Sequence, residues 1–129
     1  MTTIKIDSKT NRRFTKESAT LQRSLKRSLG NLIYKLDSEG NEPNKIYNNE
    51  SIVYDRINDH IYIFKAHGTN NLQLRIVYGY EKMKKDSTLY FIDYAVKKKN
   101  NKKYLAEMND KFKNTNISDL EFEELECIV

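Results

Sequence analysis

The residues of this sequence most suited to chemistry are basic groups within or beside strand-like segments. Arg75 lies in the middle of the run LQLRIVYGY, where a charge is costly unless it meets an anion or a carboxylate. The arginine therefore either pairs with a nearby acid, such as Asp93, or contacts an anionic ligand. Lys65 lies near the end of the run HIYIFKA, and a hairpin turn centred near Asn70 would place it opposite Arg75. The alternative for Lys65 is an edge lysine that prevents aggregation.

The charge of the chain indicates a polyanionic partner. The formal net charge is +5, but the segment 114–129 carries five acidic residues and no Lys or Arg, so residues 1–113 carry +10. A basic body of this size attracts RNA or DNA. No apolar run approaches the roughly 18–20 residues that a membrane span needs, and the first residues lack the apolar stretch of a signal peptide. We therefore expect a cytoplasmic protein without membrane contact.

Further candidates adjoin the same segments. Three lysines, Lys97, Lys98 and Lys99, directly follow the run TLYFIDYAV, where that strand should end. They are either solvated surface charges or groups that contact phosphates. His67 lies in the turn after HIYIFKA and is either a proton-transfer group or a structural residue. The other basic candidates for contacting nucleic acid are Arg23, Lys26, Lys102 and Lys103. Tyr78 and Tyr94 either stack on bases or pack in the core.

Several familiar chemistries are excluded by motif and composition. No phosphate-binding glycine loop, nucleophile elbow, HExxH or CxxC motif occurs. Cys127 is the single cysteine, which excludes an internal disulfide and a cysteine-paired zinc site. His60 and His67 are the two histidines, too few for a His-rich metal site. A metal site that includes carboxylates stays open, but the sequence carries no signal for it, so we expect no metal and no cofactor. Lysine and arginine are then left to carry most of any chemistry.

Hydropathy patterns predict one α+β domain, which suits a chain of 129 residues. Apolar residues at helical spacing predict a long amphipathic helix over 16–36, after a strand over 3–7 and a turn or short helix over 8–15. A loop is expected over 37–50. Four segments are predicted to be strands that short links join into an antiparallel meander: 51–57, 60–66, 72–80 and 88–96. A basic patch over 97–103 follows them, and after it a short helix that ends near Phe112.

These elements predict a twisted antiparallel sheet of three to five strands. The helices should lie on one face, and the other face should be partly open to a ligand. The run 88–96 is nearly apolar on both faces, so we expect it to be central. The links 58–59, 67–71 and 81–86 should be turns, and the acidic segment 114–129 should form a peripheral strand or helix.

The stretch from Ile61 to about Met108 resembles the RelE/ParE superfamily of toxins from type II toxin–antitoxin systems, and most of all its HigB-like, phage-derived branch. The matching order reads IYIFKAHGTNNLQLRIVY and then LYFIDYAVKKKNNKKYLAEM. Lys65 takes the place of the family's first basic residue, Arg75 that of its strand arginine, and Lys97 with Lys98 that of its double lysine. The sequence departs from the pattern where Asp93 replaces a frequent His and where Lys65 replaces Arg.

The resemblance implies a RelE-like domain over 1–113 with an acidic extension over 114–129. It implies a metal-free endoribonuclease that cleaves mRNA, either on the ribosome or free of it, and is silenced by a cognate antitoxin. In this scheme Arg75 stabilises the transition-state phosphate, Lys65 assists it or acts as base, and His67 aids proton transfer, while Lys97, Lys98 and Lys99 hold flanking phosphates. Two alternatives stay open: a ParE-like gyrase inhibitor, and a non-catalytic RNA- or protein-binding regulator.

Overall fold

A computed structural model of the chain describes residues 2–38, 57–68, 72–97 and 101–125. Within these residues the chain forms an α+β fold with three α-helices and a five-stranded sheet of order β2-β3-β4-β1-β5. The elements in chain order are β1 Thr2–Asp7, α1 Ser8–Phe14, α2 Ala19–Ser38, β2 Tyr62–His67, β3 Gln73–Met83, β4 Asp86–Lys97, α3 Asn101–Phe112, a 3₁₀ turn Ile117–Asp119 and β5 Phe122–Leu125.

The long amphipathic helix is confirmed as α2. Its stripe of leucines faces the first side of the sheet, and four of them are fully buried: Leu25, Leu29, Leu32 and Leu36. They pack in one cluster with strand residues such as Phe64, Ile76 and Phe91. Burying such a stripe provides the main hydrophobic stabilisation of an amphipathic helix. The segment before α2 forms the short helix α1, whose N-terminus is capped by the Asp7 carboxylate, which accepts a hydrogen bond from the backbone N–H of Thr10 at 3.0 Å.

The sheet is mixed, and the expectation of a wholly antiparallel sheet is wrong at one pairing. β2, β3 and β4 form the expected antiparallel meander, and β5 pairs antiparallel with β1. β1, however, lies parallel to β4, with Ile4 opposite Leu89. Short links force neighbouring strands to run antiparallel, whereas two helices and the meander separate β1 from β4, so no short turn fixes their relative direction. As expected, β4 is central, between β3 and β1.

The link between β3 and β4 is shorter than predicted. The strands extend to Met83 and from Asp86, so the expected turn over 81–86 contracts to Lys84 and Lys85. Lys84 has φ 44°, the left-handed backbone that two-residue hairpin turns require. The predicted strand 51–57, apart from the buried Ile57, and the predicted loop beyond Ser38 lie outside the described residues.

The second side of the sheet is covered, contrary to the expectation of a partly open face. Helix α3 and the segment after it pack there, and the buried residues of this cluster are Ile57, Ile61, Ile63, Val77, Ile92 and Phe112. Half-buried Ile117, Leu120 and Phe122 complete it. The segment 114–125 therefore contributes to the core and, through β5 at the edge of the sheet, forms the peripheral strand that was one of the two expectations for it.

Candidate functional site

The register of the sheet gathers the main candidate residues at one end. Lys65 on β2 lies directly opposite Arg75 on β3, which confirms the position predicted from the hairpin. In the next row His67 lies opposite Gln73, and the backbone of Gln73 pairs with that of Lys97 on β4. Residues opposite each other, and residues two apart along a strand, share one face of a sheet. We call the group Lys65, His67, Gln73, Arg75 and the backbone of Lys97 the basic end of the sheet.

Lys65 and Arg75 form a cross-strand pair of like charges. Directly opposite residues in an antiparallel pair have Cβ atoms about 4.5–5.5 Å apart, and like charges at that separation destabilise the strands. Lys65 is half-buried and His67 is exposed, so solvent reaches this row from the β2 side. Strand pairing does not favour two basic residues directly opposite each other, and such a pair is suited to receiving an anion.

Arg75 does not lie on an open face of the sheet. Its side chain lies on the face covered by α3, and only 6% of the residue is exposed. Its guanidinium donates to the backbone carbonyl of Leu74 at 2.9 Å and to Oε1 of Gln73 at 3.3 Å. Strand alternation places Arg75 and Leu74 on opposite sides of the sheet, and both sides are covered.

Asp93 is not the partner of Arg75. Its buried carboxylate binds Nη1 of Arg13 through Oδ1 at 2.8 Å, and Nζ of Lys111 through Oδ2 at 3.5 Å. Oδ1 also accepts from the backbone N–H of Tyr94 at 2.8 Å. The pairing of β3 with β4 contains a β-bulge, at which Ile92 is the extra residue on β4, and Asp93 follows directly after it. The cluster ties α1 and α3 to the central strand, so its role is structural.

Sequence reasoning missed Arg13, the main partner of Asp93. Its Nη2 also donates to the carbonyl of Tyr94 at 2.7 Å, and its guanidinium carbon lies 4.4 Å from the centre of the Tyr94 ring. Burial alone would lower the pKa of Arg13, but the charge of Asp93 and the hydrogen bond to it raise that pKa above its ordinary value. The only signal in the sequence was the pair Arg12 and Arg13 before the long helix, and nothing in it specified a partner 80 residues away.

Tyr78 and Tyr94, for which stacking on bases and packing in the core were the two alternatives, are both core residues. Tyr78 is fully buried and lies near Tyr62, and Tyr94 packs against Phe14 and Phe91. Burial, with a smaller contribution from Glu17, raises the pKa of Tyr94, whereas Arg13 acts in the opposite direction. Among the described residues the Tyr94 hydroxyl has no hydrogen-bond partner.

The other predicted contacts are scattered. Arg23 is exposed and Lys26 half-buried on α2, on the first side of the sheet, whereas Lys103 is exposed on α3, on the second side. The structure therefore does not unite the α2 residues with Lys103 on one face. Lys98 and Lys99, and the side chains of Lys97 and Lys102, lie outside the described part of the chain.

Two searches of the described residues and three comparisons with known proteins gave negative results. No group of three or more His, Cys, Asp or Glu residues suited to holding a metal ion occurs in residues 2–38, 57–68, 72–97 and 101–125. No helix within those ranges is long and apolar enough to cross a membrane. Neither a family model, nor a curated protein, nor a solved structure matches the chain.

Proposed function

We propose that the chain is an endoribonuclease toxin whose active centre is the basic end of the sheet, and that a cognate antitoxin restrains it. The observation that carries the proposal is the cross-strand pair Lys65–Arg75 with His67 in the adjoining row. A charge pattern that opposes strand pairing, next to an exposed imidazole, is suited to an RNA phosphate. The resemblance of the segment 61–108 to the RelE/ParE superfamily supports the reaction and its mRNA substrate, on or off the ribosome.

The proposed reaction is an internal transfer at phosphorus. A base removes the proton of the ribose 2′-OH, the 2′-oxygen bonds to the adjacent phosphorus, and the bond from phosphorus to the 5′-oxygen breaks. A protonated group then supplies the proton to the leaving 5′-oxygen, so the products are a 2′,3′-cyclic phosphate and a 5′-OH. Lys65 or His67 transfers the protons. The charge of Arg75, which is buried and held by Leu74 and Gln73, adds positive potential that favours the additional negative charge on the phosphorane.

A second candidate function is RNA binding without cleavage. The burial of Arg75 favours it, because a guanidinium that is only 6% exposed has little access for a direct contact with phosphorus oxygens. In that case Arg75 contributes long-range positive potential, and Lys65 and His67 make the phosphate contacts. RNA bound at this end of the sheet would then remain intact.

The test is cleavage of a single-stranded RNA oligonucleotide by the purified full-length protein, in EDTA without ribosomes and, in a parallel reaction, in Mg²⁺ buffer with purified ribosomes. We expect 2′,3′-cyclic phosphate ends, and we expect Lys65→Gln and His67→Gln each to slow cleavage by about 100-fold, the scale of a lost proton-transfer group. Lys82→Gln is the matched control. Lys82 is exposed on the same strand as Arg75 and, seven residues along, about 23 Å from it.

The outcomes separate the two candidate functions. Equal cleavage by Lys65→Gln and Lys82→Gln would remove the catalytic assignment, and RNA that is bound but never cut would establish the binding module. A third variant addresses the buried arginine: Arg75→Ala should abolish growth arrest on induced expression. Circular dichroism and soluble yield must show that the variant folds, and continued arrest by the folded variant would remove Arg75 from the mechanism.

A further inference from the structure

A pocket of about 570 Å³ opens between α2 and β2, beside the basic end of the sheet. From the helix it is lined by Asn31, Tyr34 and Lys35, and from the strand by Phe64, Lys65 and His67. Its volume lies within the range of about 300–1,000 Å³ that small-molecule sites occupy. Lys65 and His67 of the basic end also line the pocket, at the edge of the sheet that β2 forms. Successive side chains of a strand point to opposite faces, so Phe64 lies on the α2 side, whereas Lys65 and His67 lie on the side of Arg75.

The lining combines aromatic surface with positive charge. The side chain of Tyr34 is 73% exposed, so aromatic surface borders the pocket on the solvent side. Nζ of Lys35 lies 5.9 Å from the centre of the Phe64 ring, so a cation lies close to apolar surface. The lining residues in the described part of the chain include no carboxylate. This chemistry is complementary to a ligand that is both flat and anionic.

We propose that the pocket is a nucleotide subsite that holds one base of the bound RNA and its phosphate. The base stacks on Tyr34 and contacts Phe64, the amide of Asn31 offers a donor and an acceptor to the base edge, and Lys35 binds the phosphate. The subsite deepens the proposed function and rests on it, because it would position the next phosphate of the strand at the basic end. Stacking recognises any base, and the Asn31 amide adds a preference among bases.

The experiment is an NMR titration of the isotope-labelled full-length protein with AMP, adenosine and inorganic phosphate in parallel. We expect AMP to shift the amide signals of pocket residues at lower concentration than either fragment does. Tyr34→Ala should weaken AMP binding about tenfold, the scale of one lost stacking contact, and Tyr34→Phe should restore it. Lys35→Gln should weaken AMP binding, and Arg27→Gln is its control, because it removes one exposed charge of α2 about 12 Å along the helix axis.

Two results would overturn the subsite: no AMP-dependent shifts at the pocket, or inorganic phosphate binding as tightly as AMP, which would indicate attraction by charge alone. The same protein samples separate this proposal from the endoribonuclease. AMP binding in the pocket without RNA cleavage would refute the nuclease and keep the subsite. Cleavage with an unchanged rate and base preference in Tyr34→Ala would refute the subsite and keep the nuclease.

Discussion

Replacing Asp93 removes the anchor that joins two helices to the central strand. The carboxylate is 4% exposed and accepts from Arg13 at 2.8 Å, from the Tyr94 backbone N–H at 2.8 Å and from Lys111 at 3.5 Å. Hydrogen bonds to charged groups contribute about 1.5–3 kcal/mol when buried. The side chains of Arg13 and Lys111 are 50% and 58% exposed, so both can rehydrate, and the Lys111 contact adds little.

We therefore expect Asp93→Ala to lower the free energy of unfolding by about 3 kcal/mol, because it also leaves the Tyr94 N–H unsatisfied. Asp93→Asn keeps an oxygen for that N–H and should cost about 1–2 kcal/mol. The assay is urea unfolding followed by tyrosine fluorescence and circular dichroism, which suits a chain with nine tyrosines and no tryptophan. Matched wild-type and variant slopes would show that the unfolded reference is unchanged.

A double-mutant cycle identifies the partner of Asp93. The coupling between Asp93→Asn and Arg13→Gln should be about 1 kcal/mol, reduced from the value of a buried pair by the exposure of Arg13. The coupling between Asp93→Asn and Arg75→Gln should stay within about 0.5 kcal/mol, as for residues without a shared contact. Stronger coupling with Arg75 than with Arg13 would refute this account of the cluster.

Three further perturbations test the packing. Burial raises the pKa of Tyr94, so the folded state holds the hydroxyl proton more tightly than the unfolded state, and the free energy of unfolding should fall as pH rises above about 10. Tyr94→Phe should reduce this fall in urea titrations, and an unchanged pH dependence in the variant would contradict the prediction. Deleting 114–129 removes β5 and the Phe122 ring, whose centre lies 4.9 Å from that of the Tyr90 ring, so the free energy of unfolding should fall by at least about 2 kcal/mol. An unchanged unfolding midpoint would instead make the segment a separable extension. A Cβ at Gly79 would press on Ile117 and lie 3.1 Å from the His60 carbonyl oxygen, so Gly79→Ala should lower the free energy of unfolding by about 1–3 kcal/mol. Adding Ile117→Ala should recover part of this loss, and no recovery would show that the backbone carbonyl is the obstacle.

Local patterns were sufficient to predict much of the secondary structure. The leucine spacing of α2 and the β-branched runs of β2, β3 and β4 act over a few residues, and each burial pattern is visible in the sequence. The pairing of Lys65 with Arg75 was predictable for the same reason, since the midpoint of a short hairpin fixes its register. The two-residue turn at Lys84 and Lys85 was not, because neither position carries the glycine or asparagine typical of left-handed backbone.

Long-range packing decided what the sequence could not predict. The parallel pairing of β1 with β4 depends on the path of two helices across the sheet. The burial of Arg75 depends on α3 and the segment after it covering the second face, and strand alternation gives a face without saying what covers it. The extra residue Ile92 breaks the alternation of side chains between the two faces of the sheet next to Asp93. The pattern of β4 therefore could not predict that Asp93 binds Arg13 on α1.

The most direct test of the basic end of the sheet is the salt dependence of RNA affinity. Each lost phosphate contact should reduce the slope of log affinity against log salt concentration by about 0.7 for single-stranded RNA. We predict this reduction, with weaker binding, for Lys65→Gln, and an unchanged slope for Lys82→Gln at the far end of β3. Equal slopes in wild type and Lys65→Gln, or a reduction confined to Lys82→Gln, would contradict the claim that RNA phosphates bind where Lys65 faces Arg75.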